Sequence, residues 1–122
     1  MADASAAPFA FSGLDRTFHE RARLGIVTSL AGQPAGVAFT DLKRLCDLTD
    51  GNLARHLQAL DEAGFVQAVR TTGKGRSLTR YRLTEEGRGR FLAYLAALED
   101  ALREAAIAMR GDAQASAKPF SA

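Results

Sequence analysis

The chain has 122 residues, of which 47% are hydrophobic and 25% are charged, and its formal net charge is +2. These values are typical of one globular domain with a single modest core. The one cysteine excludes a disulfide framework and a cysteine-rich zinc site. No run approaches the roughly 18 apolar residues of a membrane span, and the N-terminus lacks a secretory signal, so we expect a cytoplasmic protein.

The first third of the chain predicts one helix followed by a short strand. Residues 1–13 are rich in Ala, Ser, Gly and Pro, which predicts a flexible N-terminal segment. Apolar residues at four-residue steps then predict a helix that begins near Asp15 and runs to about Leu30. The glycines and proline of residues 32–36 end it, and the short apolar run 37–39 predicts a minor strand.

Two short helices joined by almost no loop come next. Thr40 and Thr49 are suited to cap the N-termini of helices over residues 41–48 and 50–63, because a hydroxyl can accept a free backbone N–H there. Gly64 is suited to end the second helix. This arrangement predicts a helix-turn-helix, in which the second helix is offered to a DNA major groove.

A basic β-hairpin follows the two helices. Residues 65–70 and 77–83 read as strands, and the loop between them carries two glycines. Between residues 70 and 90 the chain has seven basic residues but only two acids. This concentration indicates a phosphate-binding footprint, and a hairpin directly after a helix-turn-helix is typical of a winged helix. We therefore predict a wing over residues 71–77; the alternative is an ordinary hairpin turn with solubilising charges.

A long helix over residues 85–110, capped by Thr84, is predicted to end the fold, with a disordered tail over residues 111–122. Its apolar residues are spaced 4-3-4-3-4, which favours packing against another helix as in a coiled coil. We predict that this seam is a homodimer interface; the alternative is that it packs on the protein's own first helix. The seam consists of Phe91, Leu95, Leu98, Leu102, Ala105 and Met109.

Several side chains of the second helix of the pair could contact DNA. Asn and Arg there can pair with adenine and guanine, and Gly51 would allow close approach to a backbone; the alternative is a solvated face of a structural helix. For His56, a hydrogen bond to a neighbouring helix is an equal alternative. The candidates are Asp50, Gly51, Asn52, Arg55 and His56 on the helix, and Lys74, Arg76 and Arg80 on the hairpin.

The strings DGNLARHLQALDEAGFV and TRYRLTEEGR resemble those of the MarR/ArsR-like winged-helix transcriptional regulators, most closely the compact stand-alone winged helix DNA-binding domains. The resemblance covers roughly residues 14 to 98, with the winged helix itself over 14–84. It implies an α+β fold of order α-α-α-β-β-α, and a homodimeric repressor on a pseudo-palindromic operator in double-stranded DNA. It places Thr49, Asp50, Asn52, Arg55 and His56 on the DNA-reading helix, Lys74 and Arg76 on the wing, and Arg80, less firmly, in a hairpin strand.

Other functions have weaker support in the sequence. Metal-sensing relatives carry paired cysteines, but the position paired with Cys46 is Arg44, so we expect no metal site and no cofactor. A redox-sensing Cys46 is an alternative to a buried thiol, and a protein-interaction module is an alternative to a DNA-binding regulator. No enzyme motif is present. A small-molecule effector is possible and would have to bind at the dimer cleft.

Overall fold

The computed structural model describes residues 7, 9–73 and 75–117, and their side chains as far as residue 111. Within them the chain forms two compact units, residues 15–92 and the described parts of residues 1–14 and 93–122. After a 3-10 helix at Arg16–Phe18, the elements are α1 (Arg21–Ala31), β1 (Val37–Ala38), α2 (Phe39–Cys46), α3 (Asp50–Glu62), β2 (Val66–Gly73), β3 (Arg76–Leu83) and α4 (Glu85–Ala117). This order confirms the α+β winged helix-turn-helix and its minor strand.

The three strands form one antiparallel sheet in the order β1-β3-β2. β3 is central, and it pairs with β2 from Val66↔Leu83 to Gly73↔Arg76 and with β1 at Val37↔Tyr81. β2 is therefore one edge strand of the sheet, and β1, which leads into α2, is the other.

The core of residues 15–92 is made of aliphatic residues from the three short helices and the strands, and of aromatic rings in tilted and edge-on contact. The ring of Phe18 lies 5.1 Å from that of Phe65 and 5.4 Å from that of Phe91, between centroids. Burying each such side chain contributes about 1.5–3 kcal/mol. The other large buried aliphatic residues of this unit are Ile26, Val27, Leu30, Val37, Leu42, Leu53, Leu57, Leu60, Val66 and Leu83.

The predicted helix from Asp15 to Leu30 is wrong at its start, because the chain begins a helix twice. Asp15 accepts a hydrogen bond from the Thr17 backbone N–H and caps the 3-10 helix. Glu20 accepts one from the Arg23 N–H at 3.1 Å and caps α1. Each of the two carboxylates accepts a backbone N–H that is free at the start of a helix. Phe18, at the end of the 3-10 helix, is buried in the aromatic core.

The predicted boundaries of the second helix are also wrong, whereas the cap of the third is confirmed. β1 stops at Ala38, where its pairing with Arg80 ends, so the backbone is free to turn and α2 begins at Phe39. Ala38 occupies the cap position without a side-chain bond, so Thr40 is not the cap. Thr49 accepts the Asn52 N–H at 3.2 Å and caps α3, which ends at residue 62 rather than 63.

The paired part of the hairpin is longer than the sequence predicts. Residues 71–73 and 76–77, which the sequence assigns to the wing loop, are paired strand residues, because Thr and Ser there fit the ladder and Thr71 donates its hydroxyl to the Leu78 carbonyl at 3.3 Å. β2 and β3 are paired as far as Gly73↔Arg76, and Gly75 has a φ of +75° that favours glycine. Lys74 lies outside the described residues.

The last helix is longer than predicted. Thr84 caps it as expected, accepting the Gly87 N–H at 2.8 Å, but α4 continues past Arg110 to Ala117. Gly111 does not stop it, since the three alanines of residues 113–117 favour helix and one glycine costs only about 1 kcal/mol. Residues 1–6, 8 and 118–122 of the predicted terminal segments lie outside the described residues. Among the described helices, none has the length and apolarity to cross a bilayer.

Candidate nucleic-acid interface

α3 is anchored on one side and open on the other. Leu53, Leu57 and Leu60 are buried at helical spacing, which fixes the rotation of the helix about its axis. On the open side Asn52 and Arg55 are exposed, and the Arg55 Nη2 donates a hydrogen bond to the Asn52 Oδ1 at 3.0 Å. No described atom lies within 4 Å of the position that a Cβ on Gly51 would occupy. The two polar side chains are therefore held together on an unobstructed face.

Two further candidates at the start of α3 are engaged by the protein itself. The Asp50 carboxylate forms a salt bridge with the Lys43 ammonium of α2 at 2.9 Å, and the Thr49 hydroxyl caps the helix. The salt bridge links α2 to α3. It also pairs the Asp50 carboxylate with a cation, and an unpaired carboxylate there would repel a DNA phosphate. The sequence does not single out Lys43, because only the crossing of the helices brings it to Asp50.

His56 takes the arrangement that the sequence offered as an alternative to a DNA contact. It is half-buried, and its Nδ1 accepts a hydrogen bond from the Arg23 Nε of α1 at 3.3 Å. An imidazole that accepts a hydrogen bond at Nδ1 carries its proton on Nε2. The Nε2–H is therefore the group that His56 can donate to a partner. Its contact with DNA stays a prediction.

The basic residues of the hairpin are not equivalent. Arg70 and Arg76 are exposed, whereas Arg80 is half-buried and its Nη1 donates to the Gly36 carbonyl at 3.4 Å. Gly36 has a φ of +101°, and a Cβ there would lie 3.0 Å from that of Arg80. Arg80 therefore contacts the loop before β1. No pattern in the local sequence predicts this contact.

The predicted α4 seam divides into a core residue and an exposed stripe. Phe91 is only 5% exposed and packs on Phe18, so its assignment to a dimer interface is wrong. Leu95, Leu102 and Met109, spaced by seven residues, are 40%, 63% and 70% exposed. Ala105 is exposed and Leu98 half-buried. The stripe is thus available to a partner, and the interface there stays a prediction.

A groove of about 530 Å³ runs between α1 and α3. The sequence does not predict it, because three separate segments, residues 20–25, 46–48 and 52–56, line it and only the fold brings them together. Cys46 reaches the same groove; it is half-buried, with its Sγ 3.7 Å from the Ser29 Oγ. In the described part of the chain, His, Cys, Asp and Glu side chains do not gather in groups of three that could hold a metal ion. The groove is lined by Glu20, Arg21, Ala22, Gly25, Cys46, Asp47, Leu48, Asn52, Arg55 and His56.

The sequence profile of the winged helix DNA-binding domain matches residues 22–102, which include α2, α3 and the hairpin. The chain belongs to this family. The winged helix family is a DNA-binding family and not an enzymatic one, in agreement with the sequence analysis. Among proteins of known sequence, the uncharacterized protein MJ0432 of Methanocaldococcus jannaschii is 44% identical over 57 residues, which are 47% of this chain and 62% of that protein.

Solved structures share the winged helix fold. A transcriptional regulator homologue from Pyrococcus horikoshii OT3 superposes with a TM-score of 0.67 at 24% identity, over 74% of this winged helix chain and 88% of its own. The transcriptional repressor CouR, solved on a 23-mer DNA duplex, gives a TM-score of 0.59 at 22% identity, over 92% and 83% of the two chains. A transcriptional regulator of the MarR family from Silicibacter pomeroyi gives a TM-score of 0.55 at 18% identity, over 95% and 87% of the two chains. The predicted likeness to MarR-family regulators is thereby confirmed at the level of the fold.

Proposed function

We propose that this winged helix protein is a cytoplasmic, homodimeric transcriptional regulator that binds specific sites in double-stranded DNA. α3 reads the major groove, and the hairpin tip contacts the backbone or the minor groove. The observation that carries this proposal is the open face of α3, where the bonded Arg55 and Asn52 stand opposite a buried row of leucines. These two residue types make the most specific contacts to guanine and adenine.

The exposed stripe of α4 supports the homodimer. Leu95, Leu102 and Met109 repeat at seven-residue spacing, the repeat by which two helices pack in a coiled coil. A symmetric dimer presents two copies of α3, which would enter successive major grooves about 34–36 Å apart. Such a dimer would bind a pseudo-palindromic site.

Repression follows most simply from this geometry. A dimer that occupies two successive major grooves hinders polymerase by occupancy alone, without a further contact to the transcription machinery. CouR, which shares the fold, is itself named a repressor.

Selection of bound sequences from a pool of random duplex DNA tests the proposal. We expect enrichment of a palindromic or near-palindromic motif. Absence of any enrichment, together with no duplex binding at low salt, would contradict it and favour the protein-interaction module. The variant Asn52→Ala with Arg55→Ala, which leaves the buried leucines intact, serves as the control for reading by α3.

A further inference from the structure

The α1–α3 groove brings together cationic and hydrogen-bonding groups from two helices. Arg21 of α1 and Arg55 of α3 both line it, with Asn52 and His56 of α3. Arg21 is exposed, and within the described residues it has no hydrogen-bond or salt-bridge partner. Asn52 and Arg55 also belong to the open face of α3, so the groove is continuous with the surface that we propose reads bases.

Arg23 determines which hydrogen-bonding group His56 offers. Its Nε donates to the His56 Nδ1 across 33 positions of sequence, which leaves Nε2 as the ring nitrogen that can donate. His56 lines the groove, where its Nε2–H can act as a donor. Such a donor, like the guanidinium of Arg21, suits a phosphate oxygen.

We propose that the α1–α3 groove is a second contact site for duplex DNA, in which a backbone phosphate binds Arg21 and the Nε2–H of His56. The site rests on the proposed function, because it uses the same duplex that α3 reads. It extends the interface from α3 to α1 and assigns Arg23 as the residue that positions His56. Phosphate contacts of this kind fix register on the duplex, while base contacts specify sequence.

Two carboxylates in the groove oppose the phosphate. Glu20 is engaged as the cap of α1, where it accepts the Arg23 N–H. Asp47 is exposed at the end of α2, in a left-handed conformation with φ +54°. Asparagine adopts this conformation readily, so Asp47→Asn removes a negative charge from the groove without strain in the backbone.

Titration of a fluorescein-labelled random-sequence 30-bp duplex at several salt concentrations tests the charged part of the site. Arg21→Gln should lower affinity and reduce the slope of log K against log salt by about 0.9, the value for one neutralised phosphate. Asp47→Asn should raise affinity several-fold. Arg16→Gln, which removes the same charge from the 3-10 helix outside the groove, should leave the slope nearly unchanged.

The contact from His56 is tested separately from that of Arg21. His56→Phe should lower affinity several-fold without changing the salt slope, because no charge is removed. Long-range ¹H–¹⁵N spectra of the unbound protein should show His56 as the Nε2–H tautomer, and Arg23→Leu should convert it to a mixture. Circular dichroism and the thermal midpoint establish that each variant is folded before its affinity is compared.

The outcomes separate the groove from the proposed function. A wild-type protein that binds duplex DNA, with Arg21→Gln equal to it in affinity and slope, would overturn the groove site and leave the proposed function standing. An Nδ1–H tautomer for His56 in the wild type would likewise overturn the site. A wild-type protein that binds no duplex at about 50 mM salt would overturn both.

Discussion

Gly87 of α4 lies directly against the backbone of Phe65, the residue before β2. A Cβ at Gly87 would overlap the Phe65 carbonyl oxygen and lie 2.9 Å from the Phe65 Cα. The Thr84 hydroxyl closes the same junction, since it donates to the Gly64 carbonyl at 2.6 Å and accepts the Gly87 N–H at 2.8 Å. The start of α4 is therefore seated on the end of the α3–β2 connection, and the close approach requires glycine.

Gly87→Ala should destabilise the protein severely, whereas Gly89→Ala should not. The added methyl group at residue 87 meets rigid backbone, so we expect the free energy of unfolding to fall by at least the roughly 1–3 kcal/mol that is typical of overpacking. Gly89 has no described atom within 4 Å of its Cβ position, so alanine there should stabilise the helix by roughly 0.5–1 kcal/mol. Urea unfolding measures both. Equal stability of the two variants would contradict the close approach.

The Asp15 carboxylate should make stability depend on pH. Burial by itself would raise the pKa of Asp15, but hydrogen bonds from the Thr17 backbone and from Arg90, whose Nη2 lies 2.7 Å away, outweigh it and hold the pKa below its ordinary value. A lowered folded-state pKa means that this stabilisation is present above the unfolded pKa of about 3.9 and is lost as the pH falls through the folded value. The same guanidinium lies 4.3 Å above the Phe65 ring.

Asp15→Asn should therefore lower the free energy of unfolding at neutral pH, with a difference from wild type that shrinks below about pH 4. Chemical unfolding at a series of pH values measures it. Asp100→Asn is the control, because its carboxylate, paired with Arg103, is 72% exposed and a surface pair contributes little. A difference that stays constant down to low pH would show that Asp15 acts through its shape and not its charge.

Arg55→Ala should weaken binding to a selected operator more than binding to scrambled DNA. Removing one base-reading side chain typically costs about 1–3 kcal/mol of discrimination. Removal of Arg55 also frees the Asn52 Oδ1, its hydrogen-bond acceptor, so Asn52→Ala provides a second measure of the same pair. Competition binding of the two DNAs gives the ratio, and full discrimination by the mutant would rule out Arg55 as a base reader.

Substitution of the wing cations should act on all duplexes alike. Arg76 is exposed where β3 begins, and with Lys74 it could neutralise backbone phosphates. Lys74→Ala with Arg76→Ala should lower affinity for operator and random DNA equally, and should reduce the salt slope by roughly one unit for each phosphate that is no longer neutralised. Arg103→Ala on α4 is the control. An unchanged slope would indicate that the hairpin tip remains in solvent.

Leu102→Glu should convert the protein to a monomer and weaken operator binding. Each buried leucine contributes about 1.5–3 kcal/mol, and a monomer loses the second copy of α3. Ala93→Glu introduces the same side chain at an exposed position on the opposite side of α4, so it should remain dimeric. Sedimentation velocity distinguishes the species. A wild-type protein that is monomeric at micromolar concentration would contradict the dimer and the palindromic geometry with it.

Local chemistry in the sequence determined the order of the elements and the most distinctive helix boundaries. Thr49 and Thr84 cap α3 and α4 as predicted, because the acceptor and its backbone donor lie three residues apart. The leucine periodicity of α3 likewise determined which face is buried and which is exposed. Such features depend on residues that are neighbours along one helix, so they are readable without the fold.

Only the tertiary structure decided the partners of several candidate residues. Phe91 belongs to the core because Phe18 meets it, Arg80 is held by Gly36, and His56 is bonded to Arg23. In each pair the two residues are 33 or more positions apart, and no periodicity or capping rule connects them. Their contact depends on how the helices and strands cross, and that crossing is a property of the packed core as a whole.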